Sequence, residues 1–151
     1  MHIEQYGTGK RVYLGIHGWA GNHRTFRPIV ERAPADVTFY SLDLPGYGNS
    51  PAPPDWNLDL IADEITARLP YLTLERITIV GYCGGGNLGL MVSQRAPLRV
   101  RRLVLIDPFA YMPWYFRIFT WGTFGRRAYY STFASRRGRR ASTPRRATCR
   151  A

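Results

Sequence analysis

The sequence predicts an α/β fold, a three-layer parallel sheet with flanking helices, incomplete as a core and followed by a disordered arginine-rich tail. Three observations carry this. Runs rich in β-branched and aromatic residues alternate with runs of helical apolar spacing, the pattern of βαβ units. Several of the strand-like runs end in glycine-rich turns, "HGWAGN", "DLPGYGNS" and "GYCGGG". Charge is segregated: residues 1–116 hold 11 Lys+Arg and all 10 Asp+Glu, whereas residues 117–151 hold 10 Arg and no acid.

The elements follow in chain order. "HIEQYG" predicts a short hairpin-like edge. "RVYLGIHG" reads as the first central strand, with Gly18 and Gly21 bracketing a turn. "HRTFRPIVERA" predicts a helix with proline in its first turns, and "VTFYSLDL" the next strand, closed by the breaker-rich "PGYGNSPAPP". In "LDLIADEITARL", Leu58, Ile61, Ile65 and Leu69 share one helical face and the acids fall on another. "RITIVGYC" is a third strand, "GGNLGLMVSQRA" a helix opening on glycine, and "VRRLVLIDPF" a fourth strand. Domain boundaries are expected at 1–110 for the core, 111–134 for an aromatic segment and 135–151 for the basic tail. Residues 109–133 hold 11 aromatics, and beyond Ser135 no aliphatic exceeds alanine, too little apolar surface to offset ordering entropy.

Composition bounds the function. The net charge of +11 arises in the tail, so a specific nucleic-acid partner is not expected of the core. No run reaches the roughly 18 apolar residues of a membrane span, and the N-terminus lacks a signal-peptide pattern, so a cytoplasmic setting is expected. Two cysteines, Cys83 and Cys149, give no disulfide framework. Neither a cofactor nor a metal is expected.

"GYCGG" fits G-x-S-x-G with cysteine in the serine position. In such a turn the nucleophile sits on a strained strand-to-helix corner, and the glycines admit neighbouring chain. Together with "HGWAGN" and "DLPGYGNS" in this order, the pattern resembles the α/β-hydrolase fold over roughly residues 10–110. "GYC-x-GG" is similar to the elbows of dienelactone hydrolases and polyhydroxyalkanoate synthases, which use cysteine. The resemblance implies Cys83 as nucleophile and the backbone N–H groups of Gly84 and Trp19 as oxyanion donors. It places His17 and Gly18 beside the substrate and Asp107, at a strand end, as a candidate acid. It implies a small apolar ester or thioester substrate, with the aromatic segment opening a lid. A thiol ionises nearer neutrality than a hydroxyl and needs less from a base.

The same resemblance requires a histidine after the last strand, and the chain has none beyond His23. His17 belongs to the oxyanion turn, and His23 is expected as a surface or capping residue. An incomplete triad predicts low or no turnover, and a truncated or frameshifted hydrolase accounts for the acid-free tail. Two alternatives remain. "GGGNLG" from Gly84, with Asp107 at 23 residues' distance, fits a Rossmann-like dinucleotide site. The interleaved arginines and aromatics of the C-terminal segment fit a polyanion-binding protein.

Overall fold

The computed structural model describes residues 1–108, 121–129 and 131. The expected lid over 111–134 falls largely outside them, and the expected disordered tail over 135–151 does so entirely. The chain divides into two compact units, 1–110 and 111–151.

The first unit is a five-stranded sheet: β1 (His2–Tyr6), β2 (Arg11–Ile16), β3 (Val37–Asp43), β4 (Ile77–Tyr82) and β5 (Val100–Ile106), ordered β1-β3-β2-β4-β5. Three of the four pairings are parallel, and at one edge β1 runs antiparallel to β3 with His2 opposite Asp43. The four central strands are parallel, as expected; β1 adds an antiparallel edge, pairing with β3 rather than forming a hairpin with the strand that follows it. Both edges of β2 are taken, by β3 and β4, so the outer edge of β3 is where β1 can complete its hydrogen bonds. To reach β2 the chain then crosses the start of β3, where Gly9 donates to Val37 and Arg11 to Asp36. A Cβ on Gly9 would overlap the Asp36 backbone.

Period-2 alternation divides the strands between two apolar layers. Leu14 and Ile16 of β2, Leu42 of β3 and Ile77 and Ile79 of β4 face one side. There they meet Ile61, Ala62, Ile65 and Leu69 of α2 (Leu58–Leu72) and Leu88 and Val92 of α3 (Gly84–Arg95). Val37, Phe39 and Val80 face the other side with Phe26. Phe26 ends a 3-10 turn, His23–Phe26, that runs into the single turn α1 (Arg27–Val30), so the expected helix is split there. Leu58, expected on the buried face of α2, is exposed. The acids of α2 bind across to α3, Asp59 and Asp63 each lying 2.6 Å from Arg95.

A bulge interrupts β4 and β5. Ile77 pairs with Val100 but Thr78 with Arg102, leaving Arg101 as the extra residue. Among the described residues β5 is a sheet edge, with Val104 and Leu105 exposed. In the second unit, α4 (Gly122–Tyr129) is described by itself, with Phe124 exposed on it.

The two sides of α2 give a direct test of this packing. Ile65→Ala should destabilise the chain by about 2 to 5 kcal/mol, because it leaves a cavity against the sheet. Leu60→Ala, on the exposed side, should stay within about 0.5 kcal/mol. Urea denaturation of both variants measures the difference; equal losses would contradict the described orientation of α2.

Candidate active site

The connection from β4 to α3 is a single residue. β4 ends at Tyr82, α3 begins at Gly84, and Cys83 between them takes φ 51° and ψ −122°. That backbone region is natural to glycine and costs an L-residue about 1 to 3 kcal/mol. The surroundings fix it from three sides. A Cβ on Gly18 would lie 2.7 Å from Cys83 Cβ and 2.8 Å from the Tyr82 carbonyl oxygen. A Cβ on Gly81 would lie 2.5 Å from Gly86 Cα, and one on Gly85 would overlap the Ile16 and His17 carbonyls. Cys83 itself is tied to β5 by its N–H, which donates to the Ile106 carbonyl at 2.9 Å. The outcome is a half-buried thiol, in no disulfide, at the carboxyl end of the sheet.

Strand order places this corner. β2 is followed by a connection to β3 on one side and β4 by a connection to β5 on the other, with α1 and α3 over opposite layers. In such sheets the crevice outside the strand ends at the reversal of order is where ligands bind. A cleft of about 240 Å³ lies there, lined by Gly18, Trp19, Tyr47, Trp56, Leu58 and Leu88 among others. Its walls are aromatic and aliphatic, which explains the exposure of Leu58 and Trp56 at its mouth. Gly84 is the first residue of α3, so its N–H has no partner within the helix. Trp19 lies on the same cleft, half exposed.

His17 also lines the cleft, but its ring is committed to holding the turn. The Leu44 N–H donates to Nε2 at 3.0 Å, so Nδ1 carries the proton and donates to the Gly18 carbonyl at 2.7 Å. Burial lowers its pKa and keeps the ring neutral. His17 therefore fixes the turn that carries Gly18 and Trp19, and neither of its nitrogens is left for a substrate.

His23 is neither a surface nor a capping residue, in contrast to expectation. Asn22 caps the 3-10 turn, while His23 is buried and its Nδ1 donates to Asp43, 2.9 Å from Oδ2. Asp43 is wholly buried and also accepts the N–H groups of His23 and of Asn49, the latter at 2.8 Å. Burial alone would raise its pKa; the Asn49 amide and the His23 ring and amide outweigh that and hold the carboxyl below its ordinary range. Its backbone carbonyl takes the Ser50 hydroxyl, which accepts the N–H of His2. Sequence reasoning read "DLPGYGNS" as a glycine-rich turn closing a strand and missed this buried carboxylate. The signal was Asp43 itself, an acid closing an otherwise uncharged strand.

His2, His23 and Asp43 form the one group among the described residues whose ligand-type atoms lie within 4.8 Å of one another. Both Asp43 oxygens already accept N–H groups, so the cluster serves as a hydrogen-bonded brace. Asp107 follows β5 directly with φ 47° and is exposed. The glycines of the dinucleotide alternative fall inside α3 rather than in a loop before it. Gly85 and Gly86 are buried packing positions.

Comparison with known proteins agrees with this architecture. Residues 14–151 match a family model described as the alpha/beta hydrolase fold. A serine hydrolase-like protein of Danio rerio is 33% identical over 106 residues, 68% of this chain and 32% of that protein. A pimeloyl-[acyl-carrier protein] methyl ester esterase of Neisseria meningitidis serogroup A is 35% identical over 101 residues, 67% of this chain and 31% of that one. The chain thus spans about a third of the length of these relatives. Among solved structures, a lipase-esterase related protein from Clostridium acetobutylicum superposes with a TM-score of 0.69 at 20% identity, covering 87% of this chain and 58% of that one. That likeness is one of fold.

Two consequences can be measured. Cys83→Gly should raise stability by about 1 kcal/mol, since relief of the strained φ exceeds the added chain entropy of glycine; a destabilised variant would show the corner to be unstrained. Asp43 has a folded-state pKa below its unfolded value, so its contribution is fully present above about pH 4. It is lost as pH falls through the folded value. Asp43→Asn should cost about 2 to 4 kcal/mol at pH 7 and flatten the acid limb of stability against pH. Denaturation from pH 7 to pH 3 reads both effects.

Proposed function

Because the chain belongs to the α/β-hydrolase fold family, we propose that it carries the acyl-transfer half of an ester or thioester hydrolase, with Cys83 as nucleophile. The observation that carries this is the strained one-residue corner at Cys83, whose neighbours Gly18 and Gly84 line an apolar cleft. Strain of this kind persists where function holds it in place. Relatives named as esterases, one of them for pimeloyl-[acyl-carrier protein] methyl esters, support an acyl ester as the substrate class.

The chemistry follows from the placement. The Cys83 thiolate attacks the acyl carbonyl, forming the C–S bond, and the carbonyl π pair moves onto oxygen. The N–H of Gly84, at the positive end of α3, and the N–H of Trp19 are the donors for that oxyanion. Collapse of the tetrahedral species breaks the bond to the alcohol or thiol, which leaves with the electron pair and takes a proton from solvent. The acyl group remains on Cys83. The aromatic walls of the cleft favour an apolar acyl group over a charged one.

Hydrolysis of that thioester needs a base to activate water. The three histidines of the sequence are His2, His17 and His23. His17 has both ring nitrogens engaged, on Gly18 and Leu44, His23 is turned toward Asp43 and borders a different cleft, with Glu4 and Arg24, and His2 neighbours His23 on the β1 edge. Asp107 has no histidine to orient. Loss of one triad member costs about 10⁴- to 10⁶-fold in turnover. Acylation without efficient release is therefore the expected behaviour of these 151 residues.

Intact-mass spectrometry after incubation with p-nitrophenyl acetate tests this. One acetyl group should accumulate and persist on the wild-type chain and be missing from Cys83→Ala. Equal labelling of the two proteins, or none of either, would remove Cys83 from the nucleophile role.

A further inference from the structure

The end of the sheet away from Cys83 carries a second concave feature. A cleft of about 330 Å³ opens where β2, β4 and β5 begin, lined by Lys10, Arg11, Arg76, Arg101 and Arg102, with Glu75 as its acid. Three separate stretches of chain contribute these cations: the turn into β2, the turn into β4, and β5 itself. The bulge makes the set possible. In regular alternation Arg101 and Arg102 would point to opposite faces of β5; with Arg101 as the extra residue opposite the Ile77–Thr78 step, both line the same cleft.

These cations are poorly neutralised. Ion pairs among the described residues take up Arg11, Arg27, Arg68 and Arg95, and none involves Lys10, Arg76, Arg101 or Arg102. Arg11 is held by Asp36 through two bonds of 2.6 and 2.7 Å. Arg76 donates to the Val100 carbonyl at 2.9 Å, which fixes it beside the bulge. Like charges gathered around one concavity repel, and an anion placed inside relieves that repulsion. Glu75 opposes a weakly charged ion, so the cleft selects for multiple negative charge. Its volume equals roughly eleven water molecules, room for a diphosphate group with guanidinium forks around it.

We propose that this cleft is an anion site for a diphosphate group, separate from the acyl chemistry at the opposite strand ends. The cations reach the ligand from strand starts that the sheet holds rigid, and binding does not involve the cleft at Cys83.

Isothermal titration of the full chain with inorganic pyrophosphate at low ionic strength tests the site, with ADP as a second arm. One saturable site is expected. Arg101→Ser/Arg102→Ser should weaken it by about tenfold or more, and Lys10→Ser by less. Both exposed arginines can be replaced without core loss, and an unchanged thermal melt checks this. Arg136→Ser/Arg137→Ser, in the arginine-rich segment, should leave affinity within about twofold. Tighter binding of ADP assigns the diphosphate to a nucleotide; equal binding assigns it to the free anion. Affinity that survives the Arg101/Arg102 exchange, or falls only in the Arg136/Arg137 variant, overturns the proposal.

Discussion

The one-residue corner at Cys83 is the constraint on which the rest of the site depends. A strand and a helix joined by a single residue cannot both be regular unless that residue adopts a backbone conformation foreign to L-amino acids. The cost is met by packing. Gly18, Gly81 and Gly85 each stand where a methyl group would collide with backbone or with Cys83 itself, so α3 can lie directly against the ends of β2 and β4. The same closeness brings the first N–H of α3 and the turn after β2 to the cleft beside the thiol. One strained φ thus fixes thiol, helix end and neighbouring turn together.

Around that corner, His17, Asp43 and Ser50 are held by short hydrogen bonds. His17 spends both ring nitrogens on the turn after β2 and on the start of the turn after β3. Asp43 gathers two amides and an imidazole at the end of β3. The Ser50 hydroxyl joins that strand end to β1. These contacts hold the loops at the carboxyl end of the sheet in register. They also explain why His17 does not supply a base, since a ring engaged on both nitrogens has no lone pair to offer.

The two ends of the sheet differ in character for a physical reason. At the carboxyl end the strands feed turns that converge on a strand-order reversal, and apolar side chains wall the crevice. At the amino end the strands begin from turns whose charged side chains are exposed among the described residues. A bulge there rotates one arginine onto its neighbour's face and concentrates charge that regular alternation would spread.

Much of this was legible from residue order. Apolar alternation located β2 to β5, the spacing of Ile61, Ile65 and Leu69 located α2, and the glycines around Cys83 signalled a corner with close backbone approach. These are local signals, set by propensity and sterics within a few residues. Partnering is not local. Nothing in "HIEQYG" says that its hydrogen bonds go to β3 rather than to β2, because that depends on which edge the finished sheet leaves open. Nor does His23 announce that it will be buried against Asp43, a residue twenty positions away. The bulge that places Arg101 and Arg102 on one cleft is likewise a property of two strands in register. The sequence by itself determined the elements and the corner that bears the thiol. The tertiary structure decided which polar groups consume one another, and so which are left to meet a ligand, because hydrogen-bond partners are assigned only when distant segments pack.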